Sequence, residues 1–186
     1  MHTEKKQSLQ TLDLVYIAFA AVLIAVCSWI SIPAHVPFTL QTFAVCCVLS
    51  LLGGKNGTFA ILLYILLGAI GIPVFSGFGG GLGFLLGNTG GYIVGFILIG
   101  LVYWLIISRT GKKLWAEILA MVAGLILCYA LGTAWFMVVY ARTKGAVSLG
   151  VVLGWCVFPF ILPDLVKMGL AILLSRRVSP MLKKSA

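Results

Sequence analysis

In the run Phe158-Pro-Phe-Ile-Leu-Pro-Asp-Leu-Val-Lys167 a carboxylate and an ammonium stand three residues apart, and the residues after them, Met168 to Leu174, are wholly apolar. At i and i+3 the two side chains share a helical face. A lysine near the centre of a bilayer costs roughly 2.5–3.5 kcal/mol to insert, so Lys167 is expected to be paired or to serve a site. A purely structural Asp164–Lys167 pair, with Asp164 favoured in the first helical turn after Pro163, is the competing reading. Asn88 adds an amide that donates and accepts at once, which suits a ligand carrying both an N–H and a C=O. Gln41 offers the same functions, to a ligand or to a neighbouring helix. Tyr92 is a further candidate, with interfacial packing as its alternative, and Phe38 and Phe75 are candidates for apolar walls.

The chemistry of this set is recognition rather than turnover. Only His2 and His35 are available as imidazole bases, and neither a nucleophile–base arrangement nor an H-E-x-x-H spacing is visible, so no enzyme is expected. His35, between two prolines, reads as a solvated loop residue. The five cysteines (Cys27, Cys46, Cys47, Cys128, Cys156) lie within or at the ends of apolar runs without zinc-ligand spacing. They read as small buried hydrophobes, and neither a metal nor a cofactor is expected.

The elements that must position these residues are membrane helices. The chain has 186 residues, 62% hydrophobic and 9% charged, with a mean hydropathy of +1.17. That leaves too little polar surface to cover an apolar body in water. The bilayer is its expected surrounding, and the net charge of +9 has a topological meaning rather than pointing to nucleic acid. No soluble catalytic or nucleotide-binding domain fits between the spans, so energy must come from a partner or an ion gradient.

Six spans are expected: residues 12–30, 38–52, 58–72, 89–107, 115–140, and a last helix starting at Asp164 and ending near Arg176 and Arg177. The first is read as a helix that stays, not a removable signal. The second and third are shorter than the ~20 residues a crossing helix needs and are joined by the charged turn Gly53-Gly-Lys-Asn-Gly57. Residues 148–156 are too short to cross. With both termini inside, the cytoplasmic segments hold ten basic residues, and the outer loops hold only Arg142 and Lys144. This is the positive-inside pattern. The chain then divides into a cytoplasmic tail at 1–11, a six-helix transmembrane domain at 12–178 and a cytoplasmic tail at 179–186. Three irregular segments, 33–37, 73–88 and 159–163, emerge on the outer side and are expected to roof an outward-facing ligand cavity.

Between the third and fourth spans, residues 71–95 hold ten glycines and no charge. Gly79-Gly-Gly-Leu-Gly83 lacks the lysine and hydroxyl of a phosphate loop. An ion filter would need symmetric repeats, and none is present. Gly79, Gly80, Gly81 and Gly83 are therefore read as a movable gate loop between Pro73 and Asn88. On the first span Ala18, Ala21 and Ala25 fall on one helical face, which lets another helix approach closely.

Four motifs occur in order: Pro37-Phe-Thr-Leu-Gln-Thr42, Leu67-Gly-Ala-Ile-Gly-Ile-Pro-Val-Phe75, Gly79-Gly-Gly-Leu-Gly83 with Leu86-Gly-Asn-Thr-Gly-Gly-Tyr92, and Phe158-Pro-Phe-Ile-Leu-Pro-Asp-Leu-Val-Lys167. Together they resemble the BioY family, the biotin-specific substrate-binding S-components of energy-coupling-factor (ECF) transporters, over about residues 12–177. The resemblance implies a six-helix bundle in a bacterial or archaeal cytoplasmic membrane. It would bind biotin from outside and work with a transmembrane coupling protein and two cytoplasmic ATPases, with Ala18, Ala21 and Ala25 as the docking face and the glycine loop as gate. Biotin is then the transported ligand. Its ureido ring, with two N–H groups and one C=O, suits Asp164 and Asn88, and Lys167 would serve the ureido oxygen or balance Asp164. A binding component for another vitamin, or a secondary transporter using Asp164 for proton coupling, are the alternatives.

Overall fold

A computed structural model describes residues 11–34 and 36–184, with side chains as far as Pro180; His35 and the first ten residues lie outside the described residues. The elements are α1 (Thr11–Trp29), β1 (Ser31–Ile32), β2 (Phe38–Thr39), α2 (Gln41–Ala69), a 3-10 turn (Ser76–Phe78), α3 (Leu82–Leu85), α4 (Gly90–Thr110), α5 (Leu114–Lys144), α6 (Leu149–Cys156) and α7 (Phe158–Lys184). Five helical stretches are long and apolar enough to cross a membrane, α6 and α7 counting together. The second of them, α2, reverses direction at Gly53, whose backbone is non-helical (φ 79°, ψ 174°). The Nε2 of Gln41 donates to the hydroxyl of Tyr64 at 2.5 Å, although a straight helix would hold these positions about 35 Å apart. Residues 41–52 and 54–69 are therefore the two legs of a hairpin. Only glycine adopts such a left-handed φ without strain, so the expected charged turn narrows to a single residue.

The chain is an all-helical membrane protein with five to six spans. Large apolar side chains such as Phe19, Ile70 and Leu162 stand more than 70% exposed, a surface tolerable only where hydrocarbon is the solvent. The core joins α1, α2, α4, α5 and α7 through residues such as Ile24, Leu49, Ile61, Ile99 and Met121. A second cluster around Val36, Tyr92, Phe136, Cys156 and Phe160 ties α6 to α4, α5 and α7. At the end of the bundle near Gly53 a fully buried carboxylate, Glu117, accepts hydrogen bonds from Ser50 Oγ (2.8 Å), Tyr103 OH (3.1 Å) and Arg176 (2.8 Å). This clasp gathers α2, α4, α5 and α7.

The structure departs from the sequence reading in four places. First, the last helix begins at Phe158, so Asp164 lies in its second turn. Pro159 falls in the first turn, where a missing N–H removes no helical bond, and Pro163 forfeits one bond without ending the helix. Second, residues 31–32 and 38–39 form a short antiparallel ribbon, Ser31 paired with Thr39 and Ile32 with Phe38, and not merely a proline turn. Third, the glycine stretch is folded. Phe75 N–H donates to the Gly79 carbonyl at 2.9 Å and Gly81 N–H to that of Gly68 at 2.7 Å, and α3 follows. Fourth, Ala21 and Ala25 are 1% and 4% exposed within the core. Of the three docking alanines only Ala18 faces outward, because the hairpin of α2 already occupies the small-residue face of α1.

A candidate ligand cavity beneath the glycine-rich loop

The second and third turns of α7 bring Asp164 and Lys167 inward. Their ion pair is 2.9 Å long, with side chains only 4% and 8% exposed. Each is held by a second element. Asp164 Oδ2 accepts from the hydroxyl of Tyr129 on α5 at 2.6 Å. Lys167 Nζ donates to the backbone carbonyl of Thr39 at 2.7 Å and lies 4.0 Å from the centroid of the Phe38 ring. The three N–H bonds of the ammonium thus face a carboxylate, a carbonyl and an aromatic ring, an arrangement that meets the cost of burying the charge. The carboxylate retains one unused acceptor position on each oxygen.

β2 supplies the Thr39 carbonyl because the ribbon turns the chain back towards α7 just before α2 begins. The Thr39 hydroxyl accepts from the Gln41 N–H at 3.2 Å and donates to the Gln41 Oε1 at 3.5 Å, while the Gln41 Nε2 donates to Tyr64. On the opposite wall the Tyr92 hydroxyl shares a 3.2 Å hydrogen bond with Thr133. The Tyr92 ring lies flush against Gly132 of α5, where a Cβ would come within 2.2 Å of it. That close approach sets the depth of the wall.

These groups surround a cavity lined by, among others, Thr39, Gln41, Thr89, Tyr92, Tyr129, Asp164 and Lys167, with Phe84, Phe96 and Phe160 as its aromatic walls. It encloses about 650 Å³ of space, solvent at its mouth included.

Of the candidates read from the sequence, Asp164, Lys167, Gln41 and Tyr92 line this cavity, and Asn88, Phe38 and Phe75 do not. Asn88 is half-buried at the end of the loop, and its neighbour Thr89 takes the lining position. Phe38 stands behind Lys167. Phe75 is fully buried, packed edge-on to Tyr64 and stacked on Phe84, so Phe84 and not Phe75 presents the ring to the cavity. The gate-loop glycines Gly79, Gly80, Gly81 and Gly83 are also outside the lining; Ser76 and Phe84 are the loop residues that reach in. The loop is tied down at both ends. Ser28 Oγ donates to the Val74 carbonyl (2.5 Å) and Trp29 Nε1 to that of Pro73 (2.9 Å), while Trp135 Nε1 donates to that of Gly87 (3.0 Å).

Sequence reasoning missed Tyr129 and the Thr39 carbonyl. A tyrosine within a long apolar span reads as packing, and only the placing of α5 across the cavity from α7 sets it against a carboxylate 35 positions later. A backbone carbonyl carries no residue signal at all.

Comparison with known proteins places this architecture. The model of the BioY family matches residues 2–184. "Biotin transporter BioY" of Thermotoga maritima is 43% identical over 157 residues, 84% of this chain and 89% of the relative. "Probable biotin transporter BioY" of Pyrococcus horikoshii is 41% identical over 143 residues, 77% and 80% of the two chains. Among solved structures, one described as the S-component for biotin from an ECF-type ABC transporter superposes with a TM-score of 0.77 at 26% identity, covering 90% of each chain. With a family model spanning nearly its full length and relatives in both bacteria and archaea, this multi-pass membrane protein belongs to the BioY family.

Proposed function

We propose that the chain captures biotin in the Asp164 cavity and delivers it across the cytoplasmic membrane as the substrate-binding component of an ATP-driven ECF transporter. The observation that carries this reading is a carboxylate with two free acceptor positions, held by Lys167 and Tyr129 in the wall of a cavity that also presents aromatic rings and hydroxyls. A ureido ring has two N–H donors to give such a carboxylate, and its thiophane ring and aliphatic tail need the apolar walls formed by Phe84, Phe96 and Phe160. Lys167 acts by pairing with Asp164 and holding it in place, its own donors being already engaged. The ureido oxygen is left to a cavity hydroxyl, of which Tyr92 and Thr89 are the nearest in kind.

The charge distribution supports cytoplasmic termini and a cavity facing outward. Lys55, Arg109, Lys113, Arg176 and Arg177 all belong to the end of the bundle that carries the Gly53 turn and the α4–α5 connection, as the positive-inside rule requires of a cytoplasmic face. Ser76 and Phe84 reach the cavity from the loop, so residues 73–88 are the segment placed to act as a lid. The coupling protein would dock on the outward face of α1, around Leu14, Ala18 and Val22, and the two ATPases would act through it.

Calorimetry of the detergent-solubilised chain against biotin, thiamine and riboflavin tests the reading. Heat of binding is expected with biotin only, and none at micromolar biotin overturns it.

A further inference from the structure

The described residues distribute their charge unevenly about the cavity. Around its mouth the ribbon, the glycine-rich loop and α6 carry no charged residue among those described, and Asp164 and Lys167 compensate each other at 2.9 Å. The remaining charges at this end are Arg142 and Lys144, both exposed in the last turn of α5. The dipole of α5 favours cations there, yet it does not account for the absence of any anion around them.

Lys144 is also fixed in position. Its Nζ lies 5.8 Å from the centroid of the Tyr140 ring, which stacks on Phe136 at 5.4 Å and tilts against Trp155 at 6.0 Å. Phe136 packs in the same cluster as Val36, Tyr92, Cys156 and Phe160, all four of which line the cavity. A series of packed rings therefore runs from the cavity wall along α5 to the ammonium, which stands at the end of the bundle that carries the glycine-rich loop, away from Glu117.

We propose that Arg142 and Lys144 form an electrostatic capture site at the cavity mouth that draws in the carboxylate of the ligand. The proposal rests on the biotin reading above: biotin carries one negative charge at neutral pH, on the flexible tail opposite the ureido ring that Asp164 would hold. The two cations raise the rate of entry and leave the bound state unchanged, as rim charges do. At physiological ionic strength the field reaches only about 8 Å, so the effect belongs to the last approach and weakens with salt. Whole-surface fields raise association 10- to 10³-fold; two charges should contribute on the order of threefold to tenfold at low salt.

The test is stopped-flow binding to the full chain in nonionic detergent, with biotin and its uncharged methyl ester, at about 20 mM and about 300 mM salt. For the wild type, the association rate of biotin should fall with salt and that of the ester should not. Arg142→Gln with Lys144→Gln should slow biotin association threefold to tenfold at low salt, abolish its salt dependence and leave dissociation unchanged. Lys144→Glu should slow it further, whereas Arg109→Gln with Lys113→Gln, at the other end of the bundle, should leave both rates alone. Biotin binding whose association rate ignores salt and the mouth substitutions overturns the capture site alone, and is the outcome if these cations serve only lipid headgroups. No biotin binding by the wild type overturns the ligand assignment, and the capture site with it.

Discussion

Removing the charge of Lys167 tests the cavity most directly, because it separates what the pair does for the fold from what it does for the ligand. Lys167→Met keeps length and apolar volume but leaves Asp164 buried with the Tyr129 hydroxyl as its single remaining partner, strips the donor from the Thr39 carbonyl and removes the cation from the Phe38 ring. Breaking a buried pair on one side costs about 3–5 kcal/mol. The lost cation–π contact adds about 0.5–2 kcal/mol. Asp164→Asn strands the ammonium less severely, since an amide oxygen still accepts from it and the Thr39 carbonyl and Phe38 remain, so about 1–3 kcal/mol is expected. In the double variant no charge is left at this site, and the two losses should fall well short of additive, with a coupling of about 1–3 kcal/mol. Thermal unfolding in one detergent measures this cycle, and calorimetry with biotin measures the other. Affinity should fall on the order of 10²- to 10³-fold in each single variant and should not recover in the double variant even as stability does. Strictly additive stability losses would refute the pairing. Wild-type affinity in the double variant would refute the site.

The Glu117 clasp is expected to behave as structure only. Arg176→Met, which leaves a buried carboxylate with just Ser50 and Tyr103, should lower the unfolding temperature more than Glu117→Gln, with biotin affinity unchanged in both; the reverse order would mean that the carboxylate is not the buried charge at risk. Biotin should slow amide exchange across residues 77–87, and exchange rates indifferent to biotin would dispose of the lid. Ala21→Leu, at 1% exposure in the core, should destabilise the isolated chain by about 1–3 kcal/mol through overpacking. Ala18→Leu should leave stability alone and weaken co-purification with the coupling protein; unimpaired co-purification would remove α1 from the docking surface.

Much of this protein is legible in the order of its residues. Hydropathy gives a multi-pass helical chain, since no other medium accepts its surface. The spacing of Asp164 and Lys167 gives a paired charge, because i and i+3 share a face in any helix. The motifs from Pro37 to Lys167 identify the family, which the match over residues 2–184 bears out.

What the tertiary structure decided is everything that depends on two distant elements meeting. Tyr129 completes the Asp164 site only because its side chain reaches from α5 to α7 across the cavity, and Phe84 displaces Phe75 from the cavity because the loop folds its first aromatic ring onto Tyr64. Ala21 and Ala25 lose their exposure to a hairpin that turns on Gly53. A prolyl pair that reads as a break is absorbed into the first two turns of α7, where Pro159 costs no helical bond and Pro163 only one. Local chemistry and periodicity are properties of a residue and its near neighbours, whereas burial and partnership are properties of the packed whole, and the cavity is made of the latter.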